Sequence, residues 1–175
     1  MSVDIILIQV VNKLAQTSPV LTAMAIVCAS VLIWALVVWY VIAFVWHKRG
    51  GWRELCALAL GTFMVFFTNI LASVWWFRPR PFVLGITEKL ITVDPATKSF
   101  PSDHAAVAFF LAYLLSSHNP RWRIPAYLGA VLVAFGRMAV GVHFPSDVLA
   151  GAVVGVAFGY LTMEVERLFT SPKVQ

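Results

Sequence analysis

Apolar residues in this chain come in long runs, and the polar ones are gathered between them. Residues 19–46 carry no charge and run into His47-Lys48-Arg49, while residues 55–77 are uncharged and close on an aromatic cluster, Trp75-Trp76-Phe77. A helix needs roughly 20 residues to cross a hydrocarbon core about 30 Å thick, and both runs are long enough. A polar loop over 78–101 follows. Helices are then predicted from Ser102 to about Leu115, over 124–142 and over 146–163. The first of these is short for a span, so its first turn is expected to begin below the surface. Residues 2–16 differ, because Ile5, Ile6, Ile8, Val11 and Leu14 mark one helical face while Asp4, Asn12 and Lys13 interrupt the rest. At about 1.5 Å per residue this segment is short for a crossing. It reads as an amphipathic helix at the surface, with a shortened sixth span as the alternative.

The fold class that follows is all-α: a polytopic transmembrane helical bundle of five spans plus an amphipathic N-terminal helix. It forms a single domain over 1–175, with the amphipathic helix at 1–17 and a motif-bearing core at 55–159. Composition supports lipid as the solvent for much of the surface. Hydrophobic residues make up 61%, charged residues 12%, and mean hydropathy is +0.85, whereas a soluble domain carries about twice that charge. The net charge of +5 does not point to nucleic acid, since the basic residues are scattered and form no solvated stripe. The expected partners are the bilayer and an anionic lipid, with oligomeric state left open. Cys28 and Cys56 lack metal-ligand spacing and read as small packing residues. No cleavable signal peptide is expected, because the first sixteen residues lack a basic start and a small-residue cleavage site. Gly151, Gly155 and Gly159 recur every four residues, a spacing that lets helices approach closely in lipid. That contact lies inside the bundle or, less favourably, between subunits.

Charge also orients the chain. With five spans, one side receives Lys48, Arg49, Arg53, Arg121, Arg123, Arg167 and Lys173. The other receives Lys13, Arg78, Arg80, Lys89, Lys98 and Arg137. Once Arg78, Arg80 and Arg137 are set aside as candidate site residues, the first side is the more basic and is expected to be cytoplasmic.

Three polar clusters then fall on the opposite, outer side: Arg78-Pro-Arg80-Pro81, Pro101-Ser102-Asp103-His104, and Arg137 with His143 and Asp147. Ionisable groups at that depth are costly unless they serve a site or one another. Phosphoryl transfer suits them. Arginine forks bind phosphate oxygens in a bidentate manner that lysine cannot, with Arg80 and Arg137 the leading candidates and Arg78 third. The helix start at Ser102 adds backbone N–H groups and a positive dipole end. Of two histidines, one can attack phosphorus while the other protonates the departing oxygen, and Asp147 would orient His143. No cofactor is expected and no metal site is read, since no His/Asp/Glu cluster has ligand spacing and the arginines can stabilise the equatorial oxygens.

Together the clusters resemble the signature of the phosphatidic acid phosphatase type 2 superfamily: Lys-x6-Arg-Pro, Pro-Ser-Gly-His and Ser-Arg-x5-His-x3-Asp. Here Gly136-Arg137-x5-His143-x3-Asp147 and Pro101-Ser102-Asp103-His104 keep that order and spacing, while Arg80-Pro81 is preceded by Ser73 at the lysine position. The resemblance implies His143 as a nucleophile forming a phosphohistidine, Asp147 as its partner and His104 as general acid. It also implies that Arg80, Arg137 and Ser102 hold the phosphate. Arg78 is the candidate to replace the missing lysine. Asp103, in the glycine position, must pair with an arginine or turn away. The strings Arg-Pro-Arg-Pro-Phe and Phe-Pro-Ser-Asp-His-Ala are similar to the small bacterial undecaprenyl-diphosphate phosphatases. That likeness implies a multi-pass inner-membrane enzyme that works on the outer face and recycles a lipid carrier. Alternatives are a phosphatase of phosphatidylglycerol phosphate, phosphatidic acid or lipid A, a lipid phosphotransferase, and, least favoured, a non-enzymatic membrane binder.

Overall fold

The computed structural model describes residues 2–46 and 51–170, and among them every regular element is helical. The first helix, α1, covers Val3–Ala15. Ser18 caps the next helix through the Leu21 amide, and α2 then runs over Pro19–Trp46 with a π-helical turn at Val27–Val31. It is followed by α3, Trp52–Trp75, a long irregular loop, α4, Asp103–His118, and α5, Arg123–Ala139. The last helix, α6, is Pro145–Thr170. The basic run His47-Lys48-Arg49, read as a cytoplasmic flank, and Lys173 lie outside the described residues.

Among the described residues, three helices are long and apolar enough to cross a membrane: Pro19–Trp46, Trp52–Trp75 and the Pro145–Leu168 part of α6. Their outer faces are apolar, with Trp34, Phe63 and Val153 all more than half exposed, which only lipid can solvate favourably. The chain is a membrane protein. Two expected spans are shorter: α4 has 16 residues and α5 has 17, so α4 reaches roughly 24 Å at about 1.5 Å per residue. Helix α4 can be short because it is the centre of the bundle. Ala105, Ala106, Ala108 and Ala112 are fully buried there, and α4 packs against α2, α3, α5 and α6.

The glycine stripe resolves to the inside of the bundle. A Cβ on Gly151 would stand 2.5 Å from the Ser102 carbonyl oxygen, one on Gly155 would collide with that of Ala106, and one on Gly159 would meet Tyr113. So α6 lies directly on α4, and the starts of these two helices are brought together at one end.

The N-terminal helix packs on the bundle through one face. Ile8, Asn12 and Ala15 are buried, and Asp4 and Asn12, polar positions outside the apolar face read from sequence, turn toward partners inside the protein. Asn12 Nδ2 donates to the carbonyls of Glu88 and Ala139, and its Oδ1 accepts from the Glu88 amide. This pins α1 to the long loop and to the end of α5.

Candidate active site

The three clusters meet at one end of the bundle, joined by backbone hydrogen bonds. The Ser99 amide donates to the Arg78 carbonyl at 2.8 Å, and the Ser102 amide to the Asp147 carbonyl at 3.1 Å. Arg80, buried, donates through Nη1 to the Val142 carbonyl at 3.0 Å and through Nε to Thr97 Oγ1 at 3.0 Å. Each bond ties the loop over 78–102 to the α5–α6 connection or the first turn of α6, or stiffens the loop internally.

His143 is buried in that connection. Its Nδ1 lies 2.8 Å from the Ser99 carbonyl, which can only accept, so the proton is on Nδ1 and the lone pair on Nε2. Nε2 faces Arg80 Nη1 at 3.2 Å. Burial pushes the imidazole pKa down to about 4, the Arg137 and Arg80 cations push the same way, and Asp147 pulls it back. His143 is therefore neutral at neutral pH.

Asp147, read from sequence as the direct partner of His143, lies 3.8 Å from Nδ1, outside hydrogen-bond reach. Its carboxylate accepts from Ser99 Oγ at 2.5 Å, the Phe144 amide at 2.8 Å and Arg78 Nη1 at 2.7 Å. It thus holds the Ser99 segment whose carbonyl orients the imidazole. A backbone carbonyl has no side-chain signature, so this partner was invisible in the sequence.

Arg78, the candidate stand-in for the missing lysine, is engaged elsewhere. Its guanidinium binds Asp4 as well as Asp147 and Ser146 and stacks 3.8 Å above the Phe144 ring.

Arg137 differs. It is buried, donates through Nη1 to the Ala29 carbonyl at 3.3 Å, and has an Nε without a partner. Gly136 makes this possible, since a Cβ there would stand 2.6 Å from the Ala29 amide nitrogen, in the π-helical turn.

Ser102 is buried and caps α4 through the Ala105 amide at 3.5 Å. His104, half-buried in the first turn, lies within the electrostatic reach of Arg137, His143, Asp103 and Arg80. Asp103 pairs with a lysine rather than an arginine: Lys98 Nζ stands 2.9 Å and Asn69 Nδ2 2.7 Å from its Oδ1. Neither Lys98 nor Asn69 was among the residues singled out for the site. An open cleft of about 680 Å³ lies here, lined by Ser73, Val74, Phe77, Arg80, Lys98 and Asp103. Burial lowers the Arg80 pKa while Asp103, Asp147 and Asp94 raise it. Among the described residues, no group of three or more His, Cys, Asp or Glu side chains is placed to hold a metal.

Fold and site together define a class: a helical membrane protein with two buried arginines and a neutral histidine gathered at one end of its bundle. The PAP2 superfamily model matches residues 52–170, and the chain belongs to that superfamily. It is 39% identical over 95 residues to the undecaprenyl-diphosphatase BcrC of Bacillus subtilis, covering 53% of this chain and 48% of that protein. The match thus spans about half the length of that relative. In fold it is similar to Aquifex aeolicus LpxE, with a TM-score of 0.73, 24% identity, and coverage of 94% of this chain and 96% of that one. It is also similar to a transmembrane PAP2 type phosphatidylglycerolphosphate phosphatase from Bacillus subtilis, with a TM-score of 0.68, 26% identity, and coverage of 96% and 87%.

Proposed function

We propose that this chain hydrolyses a lipid phosphate, with a polyprenyl diphosphate as substrate, through a phosphohistidine at Nε2 of His143. The observation that carries this reading is Arg137. A buried guanidinium with an unpartnered Nε is costly unless an anion completes it. Arg80 brings a second fork to the Nε2 of His143, so an anion bound between them lies against a neutral imidazole lone pair.

The steps balance on these residues. Nε2 attacks the terminal phosphorus, the bond from phosphorus to the leaving oxygen breaks, and His104 gives that oxygen its proton. Arg80, Arg137 and the amides at the start of α4 stabilise the equatorial oxygens. Water then attacks the phosphohistidine, His104 takes its proton, and inorganic phosphate leaves. Asp147, through Ser99, keeps the Nδ1 proton in place and stabilises the positive ring that forms. Arg78 and Asp103 act as supports in this scheme.

The BcrC relative favours a diphosphate, and LpxE and the phosphatidylglycerolphosphate phosphatase mark the competing lipids. The basic residues Arg53, Arg121, Arg123 and Arg167 belong to the helix ends and the loop remote from the site, and this charge bias supports an outer-leaflet site. Purified protein in detergent, given farnesyl diphosphate labelled at the terminal phosphate, should form an acid-labile, base-stable adduct that maps to His143. His143→Ala should form none and release no phosphate. Full turnover by that variant, or an adduct elsewhere, removes His143 from the mechanism. Faster turnover of phosphatidylglycerol phosphate or lipid A at matched detergent replaces the substrate.

A further inference from the structure

Lys98 is a loop residue outside every motif of the signature, yet it stands in the cleft that leads to Arg80. Its ammonium is held at the mouth by the Pro101 carbonyl at 3.1 Å and by Asp103 at 2.9 Å. The two side chains are not equally hidden, with 17% of Lys98 and 43% of Asp103 exposed. Ser73, the position where the signature carries lysine, lines the same cleft from α3. Arg78 cannot supply the missing charge there, since its fork is held by Asp4, Asp147 and Ser146.

We infer that Lys98 binds the second phosphate of a diphosphate substrate, the one attached to the lipid, and so selects diphosphates over monoesters. This rests on the function proposed above. The argument is directional. On one side the cleft is walled by Val74 and Phe77, both more than half exposed at the end of α3, where a lipid chain leaves toward the bilayer. At its inner side stands Arg80, beside His143. A terminal phosphate seated at Arg80 therefore places the next phosphate, and then the chain, along the cleft past Lys98. Asp103, fixed by Asn69, serves as the intramolecular counter-ion that holds the ammonium ready when no substrate is bound. A monoester has no second phosphate to offer and gains nothing from Lys98.

The test compares farnesyl diphosphate with farnesyl monophosphate on the purified full chain. In Lys98→Ala the kcat/KM for the diphosphate should fall by roughly tenfold more than that for the monophosphate, as expected for the loss of one charge-assisted contact. The loss should sit mainly in KM. Because Lys98→Ala also leaves Asp103 without its lysine counter-ion, Lys98→Ala/Asp103→Asn separates repulsion from lost attraction, and it should keep the diphosphate defect. Adding Ser73→Lys to that double variant returns a cation from the opposite wall and should recover much of the diphosphate preference. Equal losses on both substrates, or full recovery of diphosphate turnover in the double variant, overturn the inference while the phosphatase reading stands. Failure of the wild type to hydrolyse either compound overturns both.

Discussion

Asp4, in the first turn of α1, and Arg78, 74 residues later, are joined by a 2.7 Å ion pair. The same carboxylate accepts from the Ser146 amide at 3.0 Å and from its hydroxyl at 2.5 Å. Arg78 then carries the connection to Asp147, and Asp147 to the Ser99 segment that orients His143. An N-terminal helix outside the matched PAP2 segment is thereby wired to the histidine. Replacing Asp4 with Ala should lower kcat about tenfold with a smaller change in KM, because the scaffold loosens while the anion site stays. Stability should fall by about 1–2 kcal/mol, the usual range for charged hydrogen bonds reduced because both side chains are partly exposed. Thermal melting and steady-state kinetics in one detergent check it. Wild-type kcat in Asp4→Ala would reduce this network to a structural detail.

How much of this was legible beforehand depends on the range of the interaction. The hydrophobic runs gave the helices of the bundle, because lipid exposure demands continuous apolar surface over many residues. The ends differ: α4 continues to His118, where Asn119-Pro120 stops it, and α6 runs past Met163, since no breaker stands at Leu115 or Met163. Arg80, Arg137, His104 and His143 were visible because each sits in a short motif. The roles of Asp4 and Asn12 do not show in sequence, because a polar residue on an amphipathic helix is normally assigned to water, and their partners, Arg78 and Glu88, are more than 70 residues distant. Lys98 reads in sequence only as a loop charge. Its partner Asp103 is five residues on, yet only the path of an irregular loop brings the two to one cleft, and loops carry no period from which to read it.

The depressed pKa of His143 has a measurable consequence. In the unfolded chain this imidazole takes a proton near pH 6.5, but in the folded protein it does so only near pH 4. Between those values the unfolded state binds more protons, so stability is full above about pH 6.5 and declines as pH falls toward 4. The imidazole should stay neutral and nucleophilic across that window. Protein labelled with 15N-histidine, with the His143 signal identified by its loss in His143→Gln, should show no titration of that signal between pH 8 and pH 5. A midpoint near 6.5 would mean that burial and the two arginines do not act on the ring as described.

The contact between α4 and α6 can be tested at Gly155. A Cβ there would collide with the Ala106 carbonyl oxygen and come within 2.8 Å of the Phe110 amide nitrogen. Both are backbone atoms of α4, and neither can rotate aside, so Gly155→Ala must push two helices apart. Overpacking of this kind costs about 1–3 kcal/mol. The displacement also reaches the site, because α4 begins with Ser102, Asp103 and His104, α6 holds Asp147 in its first turn, and the Ser102 amide bonds the Asp147 carbonyl. Melting temperature and phosphate release should therefore drop together in Gly155→Ala. Gly51→Ala, where a Cβ meets nothing within 4 Å, should match the wild type in both. If Gly155→Ala also matched it, the close approach of these helices would not be what holds the starts of α4 and α6 in register around His143.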